Sequence, residues 1–330
     1  MKVAVIGAGY WGMNLVRNFK ELGVLDTVCE VPEWFYTSRF LLSGGQHRFA
    51  PAEELDKVLQ DPTITAVVIA TPAVSHYSIA KAAMLAGKHV MVEKPMAMTV
   101  VEGEDLVEVQ RQTKVVFMVG HLLHYHPMVQ KLKDIVWEGH LGRVNYIYSN
   151  RASFGKLRTE ENILWSFAPH DISLILNLLG QKPYQVKSHG AAILHEEIHD
   201  VTLTWMAFAS GARAHIFVSW LHPFKEQRFV VVGDKGMAVF DDTKLEHKLI
   251  VYKHRIEWKD LKPEALQDIK PEIIPDEGGE PLRIECEHFL SCIEENMTPV
   301  TNEVEGLRVL RVLERCQRSL EGKDSNEIAQ

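Results

Sequence analysis

Apolar residues recur along this chain with two different periods, and the pattern changes near residue 120. Before that point short apolar runs alternate with helical stretches. Lys2-Val3-Ala4-Val5-Ile6 is a β-branched run, Gly7-Ala8-Gly9-Tyr10-Trp11-Gly12 follows at once, and residues 14–19 read as a helix. Thr27-Val28-Cys29 is a second short strand that ends in Glu30. Val67-Val68-Ile69-Ala70 is apolar throughout, as expected of a strand buried on both faces. Thr71-Pro72 stops it, and residues 75–86 predict a helix closed by Gly87. The next strand, 89–92, ends at Glu93-Lys94-Pro95; Thr99 with Glu102 predicts a capping box, and 115–119 is a further strand. Such alternation predicts a parallel, doubly wound sheet, which binds ligands at the C-terminal ends of its strands. Thr71, Lys94 and His121 each follow such an end.

After residue 120 the spacing predicts a helix over 127–137, a strand over 143–153, and a helix over 170–179 that starts at His170 behind Pro169 and stops at Gly180. Residues 184–253 read as consecutive strands, with Val201, Leu203 and Trp205 alternating against Thr202, Thr204 and Met206. Ser210-Gly211 and Gly233-Asp234-Lys235-Gly236 are hairpin signals. One face of this sheet should pack on helices. The other carries Phe208 and Phe217, which calls for a second subunit or for internal burial. Residues 255–280, rich in Pro, Asp, Glu and Gly, read as a long surface connection, and helices close the chain near 281–296 and 303–321. The fold class is therefore α/β. A Rossmann-type parallel sheet over 1–120 precedes an α+β domain with an open, mainly antiparallel sheet over 121–330, the expected place for substrate binding and for an oligomer contact.

Composition narrows the function. The chain has 330 residues, 46% hydrophobic and 24% charged, enough for two cores. A net charge of −8 argues against nucleic-acid or anionic-membrane partners. The chain runs directly into a strand and has no long apolar span, which predicts neither a signal peptide nor a membrane anchor. Cys29, Cys286, Cys292 and Cys316 are scattered, which fits reduced thiols in the cytoplasm.

Strand, glycine turn and helix together give G-x-G-x-x-G its meaning as a dinucleotide site. Gly7 permits the tight turn, Gly9 lets the backbone approach a pyrophosphate, and Gly12 lets helix and strand pack closely. Glu30 lies twenty-three residues past Gly7, near the spacing of about 20 expected for a ribose-binding carboxylate. A carboxylate there repels a 2′-phosphate, so NAD is favoured over NADP.

Two residues suit acid–base work at a hydroxyl. A lysine at the position of Lys94 can stabilise negative charge growing on an oxygen, and Pro95 can support a cis bond beside it. His170, placed at the start of a helix, can take a proton at neutral pH, with the helix dipole favouring its neutral form. Arg151, Lys156 and Arg158 are a basic cluster suited to a diphosphate. His121, His124 and His126 lack a metal-binding spacing, so no metal is expected, and His121 is read as a substrate contact.

Taken in order, the glycine turn, Ala70-Thr71-Pro72 with His76, Glu93-Lys94-Pro95, and Ala168-Pro169-His170-Asp171 resemble the Gfo/Idh/MocA oxidoreductase family over about residues 1–180. The resemblance implies NAD(P)-dependent redox chemistry at a sugar carbon, with Lys94 as catalytic lysine and His170 as general base. It implies that Gly7, Gly9, Tyr10, Trp11, Gly12, Glu30, Thr71, Pro72, His76, Glu93 and Lys94 line the cofactor. Where the family usually has Asp-x-Gly-x-His, this chain has Ser166-Phe167-Ala168-Pro169-His170. Asp171 is then left to orient the imidazole, or Ser166 to contact substrate, with Trp165 beside them. Residues 120–127, 149–158 and 164–171 look most like the sugar-nucleotide members, which oxidise C3 of UDP-N-acetylglucosamine or of its uronic acid before amination. A UDP-sugar is the expected small-molecule partner, UDP-N-acetylglucosamine favoured, in a homo-oligomer. A free polyol or another sugar, and a non-catalytic dinucleotide sensor, are the rival readings.

Overall fold

A computed structural model describes residues 1–30, 47–154, 157, 159, 161–266 and 270–323. It divides into two compact units, Met1–Tyr125 with Gly279–Leu310, and His126–Gly278 with Arg311–Gln330. The sequence had assigned everything after residue 120 to one second domain.

The first unit is built on six strands: β1 (Val3–Ile6), β2 (Leu25–Glu30), β3 (Arg48–Pro51), β4 (Ala66–Ile69), β5 (His89–Val92) and β6 (Phe117–Val119). They lie in the order β3-β2-β1-β4-β5-β6, all parallel. This is the Rossmann order, with its switch point between β1 and β4. Helices α1 (Gly12–Glu21), α2 (Leu55–Gln60), α3 (His76–Leu85) and α4 (Val100–Thr113) connect the strands. The capping box expected for α4 is present: Thr99 accepts the Glu102 N–H and the Glu102 carboxylate accepts the Thr99 N–H.

The second unit begins with α5 (Pro127–Trp137), β7 (Val144–Ala152) and α6 (Ile163–Leu179). Nine strands follow: β8 (Gln185–Ala191), β9 (Val201–Ala207), β10 (Arg213–Ser219), β11 (Glu226–Gly233), β12 (Gly236–Asp241), β13 (Leu249–Lys253), β14 (Arg255–Lys259), β15 (Lys262–Leu266) and β16 (Pro271–Ile274). Eight strands form one sheet in the order β16-β13-β12-β11-β7-β10-β9-β8, antiparallel except for the β7–β10 pair. One face buries Ile147, Thr204, Met206, Ile216 and Phe229, and α6 packs against β7, β9 and β10. The other face carries Tyr146 and Leu203, 43% and 46% exposed, together with Tyr148 and His215 stacked at 5.4 Å and the half-buried Phe217. Phe208 is not on that face. Its strand ends at Ala207, its amide turns to the Ala212 carbonyl, and the side chain is buried. The surface connection expected over 255–280 also needs correction, because it contains three strands. Asp260 and Leu261, both with positive φ, close the β14–β15 hairpin, and β16 begins at Pro271, at the sheet edge where a missing N–H costs least.

The last two helices are α7 (Pro281–Glu294) and α8 (Glu303–Leu320), and the unit boundary falls within α8. Helix α7 buries Leu282, Cys286 and Phe289 in the same cluster as Leu15, Phe19, Val28 and Tyr125. Burying each large apolar side chain contributes about 1.5–3 kcal/mol, so the returning chain is part of the first core. Residues 301–302 then run along β6: Val119 donates to the Thr301 carbonyl at 2.7 Å, and Met118 pairs with Asn302. Among the described residues no helix is long and apolar enough to cross a membrane.

Candidate active site

The glycine turn leaves β1 for α1. Gly7 has φ +89°, and a Cβ there would lie 2.8 Å from the Ala70 carbonyl. A Cβ on Gly12 would lie 2.1 Å from the Gly7 oxygen, so both positions exclude any side chain. Gly9 has nothing within 4 Å of where its Cβ would be, which leaves its backbone open to a ligand. The first turn of α1 has no acidic residue to neutralise its positive end. Glu30, at the end of β2, is buried and accepts the Ala8 amide, so the carboxylate is held against the glycine turn. Tyr10 is 90% exposed, and Trp11 reaches to the end of β5, where its indole N–H donates to the Glu93 carboxylate. These residues fit a dinucleotide: close backbone, a helix end without an acidic residue, and a carboxylate at the second strand.

The ends of β4, β5 and β6 supply the next groups. Thr71 accepts a hydrogen bond from the Ser75 hydroxyl at 2.7 Å, and Pro72 is exposed. His76 is 1% exposed, with its ring nitrogens on the Pro95 and Thr71 carbonyls. The Lys94–Pro95 peptide is cis, and the Lys94 side chain is partly exposed. Burial raises the Glu93 pKa, with the Lys94 charge and the Trp11 hydrogen bond opposing. Gly120 packs on this carboxylate, since a Cβ there would lie 3.1 Å from it. His121 is buried, and its Nδ1 meets the Glu305 carboxylate at 2.6 Å.

In the second unit α6 begins at Ile163, capped by Asn162, whose side chain accepts from the Leu164 and Trp165 amides at 3.1 and 3.3 Å. His170 is therefore two turns inside the helix, and Pro169 is an interior proline. This corrects the expected start at His170. The dipole effect fades within the first turn, so it does not set this imidazole's basicity. Trp165 is buried and its indole N–H donates to Gln317 at 3.1 Å; Ser166 is buried beside it. Asp171 is 1% exposed and accepts from Arg151 at 2.9 and 3.2 Å and from the Ser149 hydroxyl at 2.7 Å. Burial opposes the Arg151 charge, but the Asp171 carboxylate outweighs it and raises the pKa. Arg151 is thus directed at Asp171, and Asp171 at β7. Lys156 and Arg158 lie outside the described residues.

Two family descriptions match this chain, the NAD-binding Rossmann fold of the GFO/IDH/MocA oxidoreductases over residues 1–121 and their C-terminal domain over residues 129–239. The chain belongs to this family. It is an NAD-dependent oxidoreductase. UDP-N-acetylglucosamine 3-dehydrogenase of Acidithiobacillus ferrooxidans is 25% identical over 94% of each chain, and a crystal form of that enzyme superposes with a TM-score of 0.84 at 23% identity, covering 100% of this chain and 99% of the other. The NAD-dependent scyllo-inositol 2-dehydrogenase of Bacillus subtilis is 26% identical over 79% of this chain and 77% of its own.

Several partners of these side chains, within each unit, escaped the sequence reading. Glu305 sits in the first turn of α8, whose start is marked by Asn302 accepting the Val304 and Glu305 amides, but nothing local pairs it with His121. Gln317 and Ser149 act across long separations. Glu285 left a signal: it occupies the apolar stripe of Leu282, Cys286 and Phe289 on α7. It is fully buried, and burial holds its pKa well above the usual carboxylate range.

Proposed function

We propose that this oxidoreductase removes hydride from C3 of a UDP-sugar, UDP-N-acetylglucosamine favoured, to give a 3-keto sugar for later amination. The observation that carries this reading is the likeness to UDP-N-acetylglucosamine 3-dehydrogenase over 94% of both chains. Gly7, Gly9, Gly12 and Glu30 hold the dinucleotide, with Tyr10, Trp11, Thr71 and Pro72 around it. Bound NAD supplies the hydride acceptor. His170 takes the hydroxyl proton as the carbon loses hydride, and the Lys94 ammonium stabilises the charge developing on that oxygen. We further propose a cytoplasmic homo-oligomer in which a second copy covers the sheet face of Tyr146, Leu203 and Trp205. The apolar exposure of that face supports it.

A specific observation favours a second substrate class. Arg151 is committed to Asp171, which weakens its role as a diphosphate clamp, and an inositol dehydrogenase is as similar in identity. A free polyol would need no such clamp. The test is NADH formation by the purified protein with NAD and either UDP-N-acetylglucosamine, its uronic acid, myo-inositol or glucose. NADH with UDP-N-acetylglucosamine alone supports the nucleotide reading. NADH only with free polyols replaces it. A silent panel, followed by nucleotide extraction from the purified protein, separates cofactor retained in place from a sensor.

A further inference from the structure

His76 is the first residue of α3, and its imidazole is almost wholly enclosed. Nδ1 lies 2.7 Å from the Pro95 carbonyl and Nε2 lies 2.8 Å from the Thr71 carbonyl. The two carbonyls belong to different loops, one following β4 and one following β5. Thr71 follows the strand beside β1, at the switch point, and Pro95 is joined to Lys94. A side chain this enclosed does not present its ring to a ligand, so the direct cofactor contact expected of it does not describe its place.

We propose that His76 is a positioning residue that ties the Lys94–Pro95 loop to the loop at the switch point, and so sets where the Lys94 ammonium stands. The inference rests on the reading of Lys94 as the group that stabilises the reacting oxygen. The physics is that of a cross-link. Each loop carries a carbonyl that needs a donor once buried, and one rigid ring sets a nitrogen against each of them. Burial holds the imidazole pKa below its usual value, the Pro95 and Thr71 carbonyls oppose this, and the Lys94 charge adds to it. A neutral ring has one N–H and ties one loop at a time; the doubly protonated ring, which the two carbonyls favour, ties both. An ammonium that must meet a developing charge is sensitive to small displacements, and a shift of about 1 Å costs about a hundredfold in rate.

The test uses the full-length protein with His76→Phe, which fills the volume without a donor, and His76→Gln, which keeps one donor and remains informative if the first variant does not fold. Three quantities are read: the Kd for NAD, the titration of Lys94 by NMR of the isotope-labelled side chain, and kcat on whichever substrate forms NADH. The expected result is a displaced Lys94 titration and a kcat about a hundredfold lower, with the NAD Kd little changed. A weakened NAD Kd with Lys94 titration and kcat intact would overturn the proposal and return His76 to the cofactor lining. So would no change in any of the three. Lys94→Ala is measured in parallel. Full turnover in that variant removes the catalytic reading of Lys94, whereas the NMR titration still tests the tie itself.

Discussion

Lys94 and His170 are assigned opposite duties, and their removal should separate chemistry from binding. Lys94→Ala or His170→Ala is expected to lower turnover by on the order of 10²–10⁴ while NAD titration shows near-normal affinity, because Gly7, Gly12 and Glu30 are untouched. Wild-type rates in either variant would remove that residue from the mechanism. Glu285 makes a stability prediction of the opposite kind. Its folded pKa is raised by burial, so the unfolded chain ionises first as pH rises above about 4.5, and stability falls from there towards the folded pKa at up to about 1.4 kcal/mol per pH unit. Glu285→Gln should therefore stabilise the protein more at pH 8 than at pH 5 in thermal melts, by roughly that slope. An equal shift at both pH values would show that its carboxyl does not remain neutral in the fold.

At the scale of elements, legibility followed the range of the signal. The glycine turn was readable because its constraint is local: Gly7, Gly12 and the strand between Lys2 and Ile6 are adjacent in sequence. The capping box at Thr99 was readable for the same reason. The start of α6 was misread because Pro169 is also a good first-turn residue, and the competing Asn162 cap lies beyond Trp165 and Ser166. Asn162→Ala should cost about 1 kcal/mol in urea unfolding, the usual value of such a cap. No loss would mean that Gln317, which also holds Asn162 and Trp165, fixes the helix start by itself. Strands β14–β16 were hidden by composition, since Pro271 and the charged residues around it are edge-strand chemistry as much as loop chemistry. The partners of His121 and Arg151 were out of reach of any window, because Glu305 and Asp171 meet them only through the fold.

For the whole molecule, the informative fact is that the first unit is completed by a distant piece of chain. A boundary near residue 120 is the natural reading of the sequence, yet Leu282, Cys286 and Phe289 belong to the core of Leu15 and Phe19. A fragment ending at Tyr125 should expose that apolar surface, bind a hydrophobic dye and aggregate. A soluble, cooperatively melting fragment would show that the strands and their own helices suffice. The open sheet face in the second unit makes a separate statement about assembly: Leu203→Lys should lower the particle mass in sedimentation if a second copy covers it.

The four cysteines add a consequence of a different sort. All are buried as free thiols, and burial pushes Cys29 to about 12 and Cys316 to about 11, so none offers a thiolate to a reagent in the native state. Cys29, Cys286 and Cys292 lie in the first unit and Cys316 in the second. Alkylation followed by mass spectrometry then becomes a clock for opening, with a separate hand for each unit, and NAD should slow only the hand that reads the first.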